Sequence, residues 1–456
     1  MTARPTTAPV IGLCLMALVL EGYDLLMYGT VVPSLLSYAP WQLDATDVGM
    51  LGSLAGVGML VGALVAAGVA DRWGRRRTLV AAVLVFSAAM GVCALAPTPA
   101  VFGVGRMAVG IGAGVLMPTA AATLIEFSHS RTRARSVALG FVGTSIGGIL
   151  AGVLSLWLVP TFGFRAMFVA GLVPALLFLP LMLRYLPESP AYLTSRGRTT
   201  EATAIAARYG LEPEPTTATA PHPERGLRAL FGSGRTTATL LFWGMTLVCL
   251  LVLFGVATWL PALMKSAGYP LGAALSFLLT LNVGGAVGAV GGGALADRYG
   301  IKPVTALGFL CAAVSLILIA TGPPTAVVYL LVLLAGVGTT GTQILLNTFI
   351  GGHYPAACRT TGIGMALGVG RIGAIIGPTY GGFFVALGAG STWQLLAFAA
   401  PAVVGAALTA LVPRRKAVAV RHSTSATAVG AVSRPGVSSV PAESETDGKG
   451  DMSTVC

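Results

Sequence analysis

A short charged segment occurs twice in this chain, each time between two long apolar runs. The first copy reads Ala-Asp-Arg-Trp-Gly-Arg-Arg-Arg over residues 70–77, and the second reads Ala-Asp-Arg-Tyr-Gly-Ile-Lys over residues 296–302. Asp71 and Asp297 lie 226 positions apart, about half of the 456 residues. Internal duplication of apolar segments is typical of secondary transporters, so the repeat indicates a membrane protein built from two related halves.

Apolar runs of about 20 residues recur along the whole chain. Hydrophobic residues make up 55% of the sequence and charged residues 10%, compared with about 25% charged in soluble domains. Runs of this length cross a bilayer as α-helices, because lipid offers no partners for unpaired backbone groups. We therefore predict an all-α membrane protein with twelve transmembrane helices in two pseudo-symmetric six-helix bundles. The predicted spans are 10–36, 48–70, 78–97, 100–122, 137–159, 166–186, 237–263, 271–296, 303–321, 324–348, 363–388 and 391–412.

Polar stretches connect the two predicted bundles and form the two ends of the chain. The stretch between the halves is rich in Pro and Thr after a predicted short helix near 199–209, and the end of the chain is rich in small and polar residues. The predicted regions are a cytoplasmic N terminus (1–9), the first bundle (10–186), a cytoplasmic linker (187–236), the second bundle (237–412) and a disordered cytoplasmic tail (413–456).

The distribution of basic residues predicts which ends of the helices face the cytoplasm. If both termini lie inside the cell, 24 of the 28 Lys and Arg residues fall in cytoplasmic segments. Arg165 and Lys265 fall outside, and Arg106 and Arg371 fall within spans. This bias predicts cytoplasmic termini in a multi-pass protein. The basic residues are spread over many loops, so the net charge of +12 reflects topology and does not indicate nucleic-acid binding.

Four ionisable residues, two acids and two arginines, lie well inside the predicted spans. A central Asp, Lys or Arg costs about 2.5–3.5 kcal/mol to insert, so each needs a partner or a water-filled cavity. Glu21 and Asp24 are three residues apart and share a face of span 1 that Tyr28 continues. Either the acids only neutralise an arginine of another helix, or they also carry a proton, because a poorly solvated carboxylate binds protons more readily than one in water.

Arg106 in span 4 and Arg371 in span 11 supply one intramembrane cation to each half. A guanidinium donates two parallel hydrogen bonds to a carboxylate and remains charged. Arg106 either pairs with Asp24 or Glu21 or contacts substrate directly. Arg371 has no acid in the spans of its own half, which favours a substrate carboxylate as its partner. We predict that Asp24, Glu21 and Arg106 couple transport to protons, and that Arg371, Arg106 and Tyr28 bind an organic anion.

Further candidates for substrate contact lie in the second half. Gln343 and Asn347 are four residues apart on one face of span 10, and Asn282 lies in span 8. Trp259 and Phe254 of span 7 are able to stack on an aromatic ring. A tryptophan in an apolar span also serves as a packing or interface residue, so packing is the alternative interpretation for Trp259.

The repeated turn resembles a motif of the major facilitator superfamily. That family carries G-x-L-A-D-R-x-G-R-[RK] between spans 2 and 3 and between spans 8 and 9. The second copy fits from Gly293 to Gly300, whereas the first has Ala67 and Val69 where the motif has Gly and Leu. The span 4 segment around Arg106 and the Pro-Glu-Ser-Pro segment 187–190 are also similar to motifs of that family. The resemblance covers nearly the whole chain and implies the major facilitator fold.

Span 1 resembles, more narrowly, the aromatic acid:proton symporter family. That family usually has Asp-Gly-[Tyr/Phe]-Asp, where this chain has Glu21-Gly-Tyr-Asp24, and both acids matter for its transport. Glu126 at the end of span 4 also carries the resemblance. It implies proton-coupled uptake of small aromatic carboxylates, such as benzoate, hydroxybenzoates, protocatechuate or gentisate, by alternating access across a bacterial cytoplasmic (inner) membrane. A sister branch of metabolite:proton symporters shares the pattern and stays open.

The two charged turns are predicted to form a conformational gate on the inner side. We expect Asp71 near the start of span 11 and Asp297 near the start of span 5, where helix N–H groups favour an acid. Arg72 or Arg75 is expected to pair with Glu126. The alternative is a pair of solvated loops that only supply positive charge to the inside. The predicted gate residues are Asp71, Arg72, Gly74, Arg75, Arg76, Glu126, Asp297, Arg298 and Gly300.

Two other functions fit the sequence less well than uptake. Proton-driven efflux on the same fold is weakly disfavoured, because efflux carriers often have a proline-rich span 5 and here Pro160 only ends it. A membrane enzyme would need a catalytic cluster, and the four His are scattered over loops and tail. We therefore expect no enzyme activity, no cofactor and no metal. The expected partners are the aromatic carboxylate, a proton and the lipid bilayer, with the monomer as the functional unit.

Overall fold

The computed structural model describes residues 7–128, 133–211, 228–232, 235–354, 358–388 and 390–413. Within these ranges the chain is helical and contains no strand. Twelve helices are long and apolar enough to cross a membrane, and each coincides with one predicted span. They are α1 (Ala8–Leu36), α2 (Ala45–Trp73), α3 (Arg75–Leu95), α4 (Pro99–Glu126), α5 (Arg133–Phe162), α6 (Phe164–Tyr185), α7 (Thr236–Ser266), α8 (Leu271–Tyr299), α9 (Ile301–Ile319), α10 (Thr325–His353), α11 (Arg359–Ala386) and α12 (Ser391–Leu411).

The two charged turns have the same backbone conformation. Gly74 ends α2 with φ +89° and ψ 157°, and Gly300 ends α8 with φ +91° and ψ 147°. Positive φ favours glycine, which explains why both copies of the motif place glycine at this position. Both turns lie at the same end of the helix bundle, which we call the motif face. The other end, where α2 and α8 begin, is the opposite face.

Close helix packing repeats with the offset of 226 residues. A Cβ at Gly58 of α2 would lie 2.0 Å from the carbonyl oxygen of Met107 in α4, and one at Gly284 of α8 would lie 2.0 Å from that of Leu333 in α10. Both members of the second pair are displaced by 226 positions from the first. The contact between Gly110 and Ala55 recurs, with the same offset, as the contact between Gly336 and Leu281. The contact between Gly112 and Phe86 recurs as that between Gly338 and Ala312. The two halves are therefore structural repeats, as expected for the pseudo-symmetric bundles.

The halves contact each other along α2 and α11 near the opposite face. The Ser53 hydroxyl donates a hydrogen bond to the Ile375 carbonyl oxygen (2.5 Å) and lies 2.7 Å from the Thr379 hydroxyl. Towards the motif face the two helices are no longer in contact on these same faces, because Ala67 of α2 is exposed and no atom lies within 4 Å of a Cβ built at Gly364 or Gly368 of α11. The space between the halves therefore opens towards the motif face.

Short helices follow α6 on the motif face. They span Pro190–Ser195, Thr199–Tyr209 and Arg228–Phe231, and the second of them confirms the helix predicted near 199–209. Residues 1–6, 212–227 and 414–456 lie outside the described residues. They include most of the predicted N-terminal segment, part of the linker and nearly all of the tail.

Candidate functional site

Asp24 of α1 and Arg106 of α4 form a buried ion pair. The Arg106 Nη1 atom lies 2.5 Å from Asp24 Oδ1, and the two residues are 3% and 2% exposed. The Arg106 guanidinium carbon also lies 4.7 Å from the ring centroid of Tyr28, whose hydroxyl donates to the Val48 carbonyl oxygen (2.6 Å). The sequence left open whether Arg106 pairs with an acid of span 1 or contacts substrate directly. In the structure it pairs with Asp24.

Glu21 is buried without a full set of partners. Its side chain is 1% exposed, and its Oε2 atom has no hydrogen-bond partner among the described residues. The charged groups that act on it are Arg371 of α11 and Asp24. Glu21 therefore lies near a cation of the other half without an ion pair to it, whereas Asp24 is paired within its own half.

Arg371 reaches across the space between the halves. Its Nη1 and Nη2 atoms lie 3.8 Å and 3.7 Å from the sulfur atoms of Met59 in α2 and Met117 in α4. A thioether is a weak acceptor, and no carboxylate of the described residues comes within ion-pair distance of Arg371. The sequence indicated that Arg371 lacks an acid in its own half. It did not show that Glu21 of the first half is the acid acting on Arg371.

The polar residues of α10 form a smaller group. Gln343 Nε2 donates to Asn347 Oδ1 (3.1 Å), and Gln343 is 8% exposed with its Oε1 atom lacking a hydrogen-bond partner. A π-helical turn at Val337–Gly341 immediately precedes this segment, and such turns often mark functional sites. The sequence had not predicted the π turn. Asn282 of α8 instead donates its amide to Leu278 of its own helix (2.8 Å).

Two aromatic candidates of α7 differ in their surroundings. Trp259 is 0% exposed, and its indole N–H donates to the Pro378 carbonyl oxygen (2.7 Å) of α11. No face of the indole is open to a ligand in this conformation, so the packing interpretation describes Trp259 here. Phe254 is only partly buried.

The first charged turn is tied to α4 and to the segment after α6. Of the two arginines that the sequence offered as partners of Glu126, Arg75 forms the ion pair, and Ser189 donates its hydroxyl to Glu126 (2.5 Å). The Glu188 carboxylate accepts hydrogen bonds from the backbone N–H groups of Arg76 (3.1 Å) and Ser189 (2.9 Å). The Pro-Glu-Ser-Pro segment therefore caps the first turn of α3. The sequence had identified this segment but not its contacts.

The acids of the two turns remain exposed in this conformation. Asp71 and Asp297 are both exposed, and neither side chain makes a hydrogen bond or ion pair with a described residue. The expected contacts with the starts of spans 11 and 5 are thus not formed here, since the halves are apart at the motif face. Arg72 and Arg298 are exposed as well.

In each half a basic residue after the charged turn binds the end of another helix, but the ion pair between Arg75 and Glu126 has no counterpart at the corresponding positions of the second half. Arg76 donates to the Leu183 carbonyl oxygen at the end of α6. Lys302, 226 positions later, donates to the Val412 carbonyl oxygen (2.6 Å) after the end of α12. The positions that correspond to Arg75 and Glu126 are occupied by Ile301 and Gly352. The ion pair is therefore specific to the first half.

Comparisons with known proteins agree with this architecture. A benzoate transport protein of Acinetobacter baylyi is 33% identical, covering 89% of this chain and 90% of the relative. A gentisate transporter of Corynebacterium glutamicum is 35% identical, covering 89% and 87%. The crystal structure of a D-xylose-proton symporter superposes with a TM-score of 0.73 at 18% identity, over 90% of this chain and 98% of that one.

The family model described as Major Facilitator Superfamily matches residues 14–378 and, in a second match, 284–438. Together the matches include the charged turns, the buried ion pair and Arg371. The fold of two related six-helix halves agrees with that of the solved transporter. The chain belongs to the Major Facilitator Superfamily and is a multi-pass membrane transport protein, not an enzyme.

Proposed function

We propose that this protein takes up small aromatic carboxylates together with protons across the bacterial cytoplasmic membrane by alternating access. The observation that carries the proposal is the group of four intramembrane charges between the halves. Asp24 and Arg106 form a pair within the first half, while Arg371 of the second half acts on Glu21 across the central space. The similarity to benzoate and gentisate transporters supports an aromatic acid as the substrate.

Arg371 is the primary group that binds the substrate carboxylate. Among the described residues its guanidinium makes hydrogen-bond contacts only with two thioether sulfur atoms at 3.7–3.8 Å, so its donors are available for a stronger acceptor. A carboxylate accepts two parallel hydrogen bonds from such a group. Arg106 and Tyr28 complete the anion site from the first half.

Asp24 carries the proton, and Glu21 supports it. In this conformation the positive charge of Arg106 balances the Asp24 carboxylate. A substrate carboxylate that draws Arg106 away removes this charge, so that a proton binds to Asp24. A substrate bound at Arg371 acts in the same way on Glu21. Substrate and proton then favour each other's binding, a reciprocity that linkage requires.

Proton coupling suits the energetics of anion uptake. A monoanion that enters against an inside-negative potential costs about 2.3 kcal/mol per 100 mV. One cotransported proton cancels this electrical term, and a second would make the membrane potential drive uptake. The positive-inside preference supports a cytoplasmic motif face, and with this sidedness the described conformation is open to the inside. During transport the α2–α11 contacts at Ser53 would open, while Asp71 would reach the start of α11.

Uptake of radiolabelled benzoate, 4-hydroxybenzoate and gentisate into cells tests this function. We expect accumulation of at least one acid above the level of vector-only cells, and we expect an uncoupler to abolish it because the proton gradient drives transport. Arg371→Gln should lose most of this uptake at equal protein abundance in the membrane. Accumulation that increases when the uncoupler is added would indicate efflux, and no uptake of any aromatic acid would refute the proposal.

A further inference from the structure

Gln343 keeps a hydrogen-bond acceptor buried and unused. Its Nε2 atom donates to Asn347 Oδ1 (3.1 Å), which leaves Oε1 without a partner among the described residues. The residue is 8% exposed, so bulk water does not compensate. A buried amide oxygen without a donor is unfavourable, and a ligand that supplies an N–H or O–H group removes this cost. The mechanism proposed above makes no use of this atom.

The repeat indicates which way Gln343 faces. Met117, which lies 226 positions earlier, contacts Arg371 across the space between the halves. The register of α4 and α10 persists beyond the π turn, because the corresponding residues on either side of this position are equally buried. Leu116 and Thr342, Ala120 and Leu346, and Leu124 and Ile350 are all 0% exposed. By pseudo-symmetry Gln343 therefore faces the same central space from the second half.

The position that corresponds to Arg371 in the first half carries a small residue. Helices α5 and α11 pack closely at corresponding glycines: a Cβ at Gly147 would meet the Val19 carbonyl oxygen, and one at Gly373, 226 positions later, would meet that of Leu247 in α7. The counterpart of Arg371 in this register is Ser145, which is exposed. Arg371 extends to Met117, whereas the corresponding position of the first half carries only a serine. The polar groups that the two halves contribute to the central space therefore differ.

We propose that Gln343 Oε1 accepts a hydrogen bond from a ring hydroxyl of the aromatic acid, so that the carrier prefers hydroxylated benzoates to benzoate. This inference rests on the proposed function and specifies the substrate class of the same site. Arg371 binds the carboxylate, and Gln343 binds the donor on the ring. The two relatives named above transport an unhydroxylated acid and a dihydroxylated one, so the similarity alone does not decide between these classes.

Methyl ethers test the direction of this hydrogen bond in the unaltered protein. The labelled acids are benzoate, 3- and 4-hydroxybenzoate, and 3- and 4-methoxybenzoate, each measured as initial uptake rate against concentration. A methoxy group keeps the ring oxygen but cannot donate. We expect kcat/KM for at least one hydroxybenzoate to exceed that for its methyl ether and for benzoate about tenfold or more, because a site built to receive a hydroxyl rejects analogues without one.

Gln343→Met tests the residue itself. Methionine is the residue at the corresponding position of the first half, so the exchange retains length while removing the acceptor. We expect the ratio of kcat/KM for the hydroxybenzoate to kcat/KM for benzoate to fall about tenfold. Gln394→Met in α12 is the matched control, since that glutamine is also buried (7% exposed) and lies outside the proposed site. It should leave the preference unchanged.

The outcomes separate the inference from the function on which it rests. Equal rates for hydroxybenzoates and their methyl ethers would overturn the role of Gln343 while leaving aromatic acid uptake intact. An unchanged preference in Gln343→Met would do the same. If Gln343→Met fails to reach the membrane, the comparison of hydroxybenzoates with their methyl ethers in the unaltered protein still tests whether the site accepts a hydrogen bond from the ring hydroxyl. If no acid of the series enters the cells, the proposed function itself fails.

Discussion

Asp24 and Arg106 depend on each other, because both side chains are buried where water cannot solvate a lone charge. Removing one partner of a buried pair typically costs about 3–5 kcal/mol, most of it due to the charge left behind. Glu21 and Arg371 differ, since their charges act on each other without a direct hydrogen bond. The first pair is thus part of the fold as well as of the proposed coupling, and variants must separate these two effects.

Asp24→Asn should abolish proton-driven accumulation while leaving some exchange of substrate down its gradient. The asparagine cannot release a proton, but the two halves can still alternate around the substrate. Counterflow and uncoupler-sensitive uptake, measured side by side in the same membranes, check this expectation. Full uncoupler-sensitive accumulation by the variant would exclude Asp24 as the proton carrier and make Glu21 the next candidate.

Asp24→Asn with Arg106→Gln serves as the control for stability. The double variant removes both buried charges, so it should melt at a higher temperature than Asp24→Asn alone. It should remain unable to accumulate substrate. A double variant that regained accumulation would show that the loss in Asp24→Asn came from an unpaired arginine and not from the missing proton site.

At the scale of the helices, close backbone approach holds each half together. Gly58 and Gly110 bring α2 and α4 into contact, and Gly284 and Gly336 bring α8 and α10 into contact. Small residues at such crossings let helices pack where lipid removes the hydrophobic drive for association. The charged turns add a second set of links at the motif face, through Arg76 in one half and Lys302 in the other.

Gly110→Ala should destabilise the protein, whereas Gly68→Ala should not. A Cβ at Gly110 would lie 2.0 Å from the Ala55 carbonyl oxygen, so the helices must separate, and overpacking of this kind costs about 1–3 kcal/mol. No atom lies within 4 Å of a Cβ at Gly68, and alanine favours helix by about 1 kcal/mol. Apparent Tm values of the purified proteins provide the measurement. Equal Tm values would contradict the close approach of α2 and α4.

The same experiment extends to the second half. Gly336→Ala should lower the Tm as Gly110→Ala does, because its Cβ would lie 2.0 Å from the Leu281 carbonyl oxygen. A tolerated Gly336→Ala combined with a damaging Gly110→Ala would mean that the two crossings are not equivalent, against the repeat described here.

For the whole molecule, the contacts between the halves define its conformation. They concentrate near the opposite face, where Ser53 meets Ile375 and Thr379, and these faces of α2 and α11 are no longer in contact towards the motif face. Alternating access requires these contacts to open when the motif face closes. A bond across them should therefore arrest transport without unfolding either half.

A disulfide between Ser53→Cys and Thr379→Cys should arrest uptake. The two hydroxyl oxygens are 2.7 Å apart, so sulfur atoms at these positions can bond with little movement. In a background without the native cysteines, oxidation should abolish uptake and a reductant should restore it. Each single cysteine variant should be insensitive to oxidation. Normal uptake by the fully cross-linked protein would rule out opening at α2 and α11.

The sequence by itself predicted the elements and the duplication of this protein. The lengths of the apolar runs set the twelve helices, because a span must bury about 20 residues in lipid and pair its own backbone. The paired motifs at Asp71 and Asp297 identified the two halves, and charges near the same membrane face limited the predicted partner of Glu126 to Arg72 or Arg75, of which the structure pairs Arg75. These features depend on local composition, which can be read along the chain.

Only the tertiary structure decided which distant residues meet. It paired Arg106 with Asp24, directed Arg371 towards Glu21 and Met117, buried Trp259 against α11, and introduced the π turn before Gln343. It also separated the halves at the motif face, so that Asp71 is exposed in this conformation. The physical reason is that these contacts depend on the rotation and crossing of helices far apart in sequence. Packing of whole surfaces sets those angles, and a pattern within one helix does not encode them.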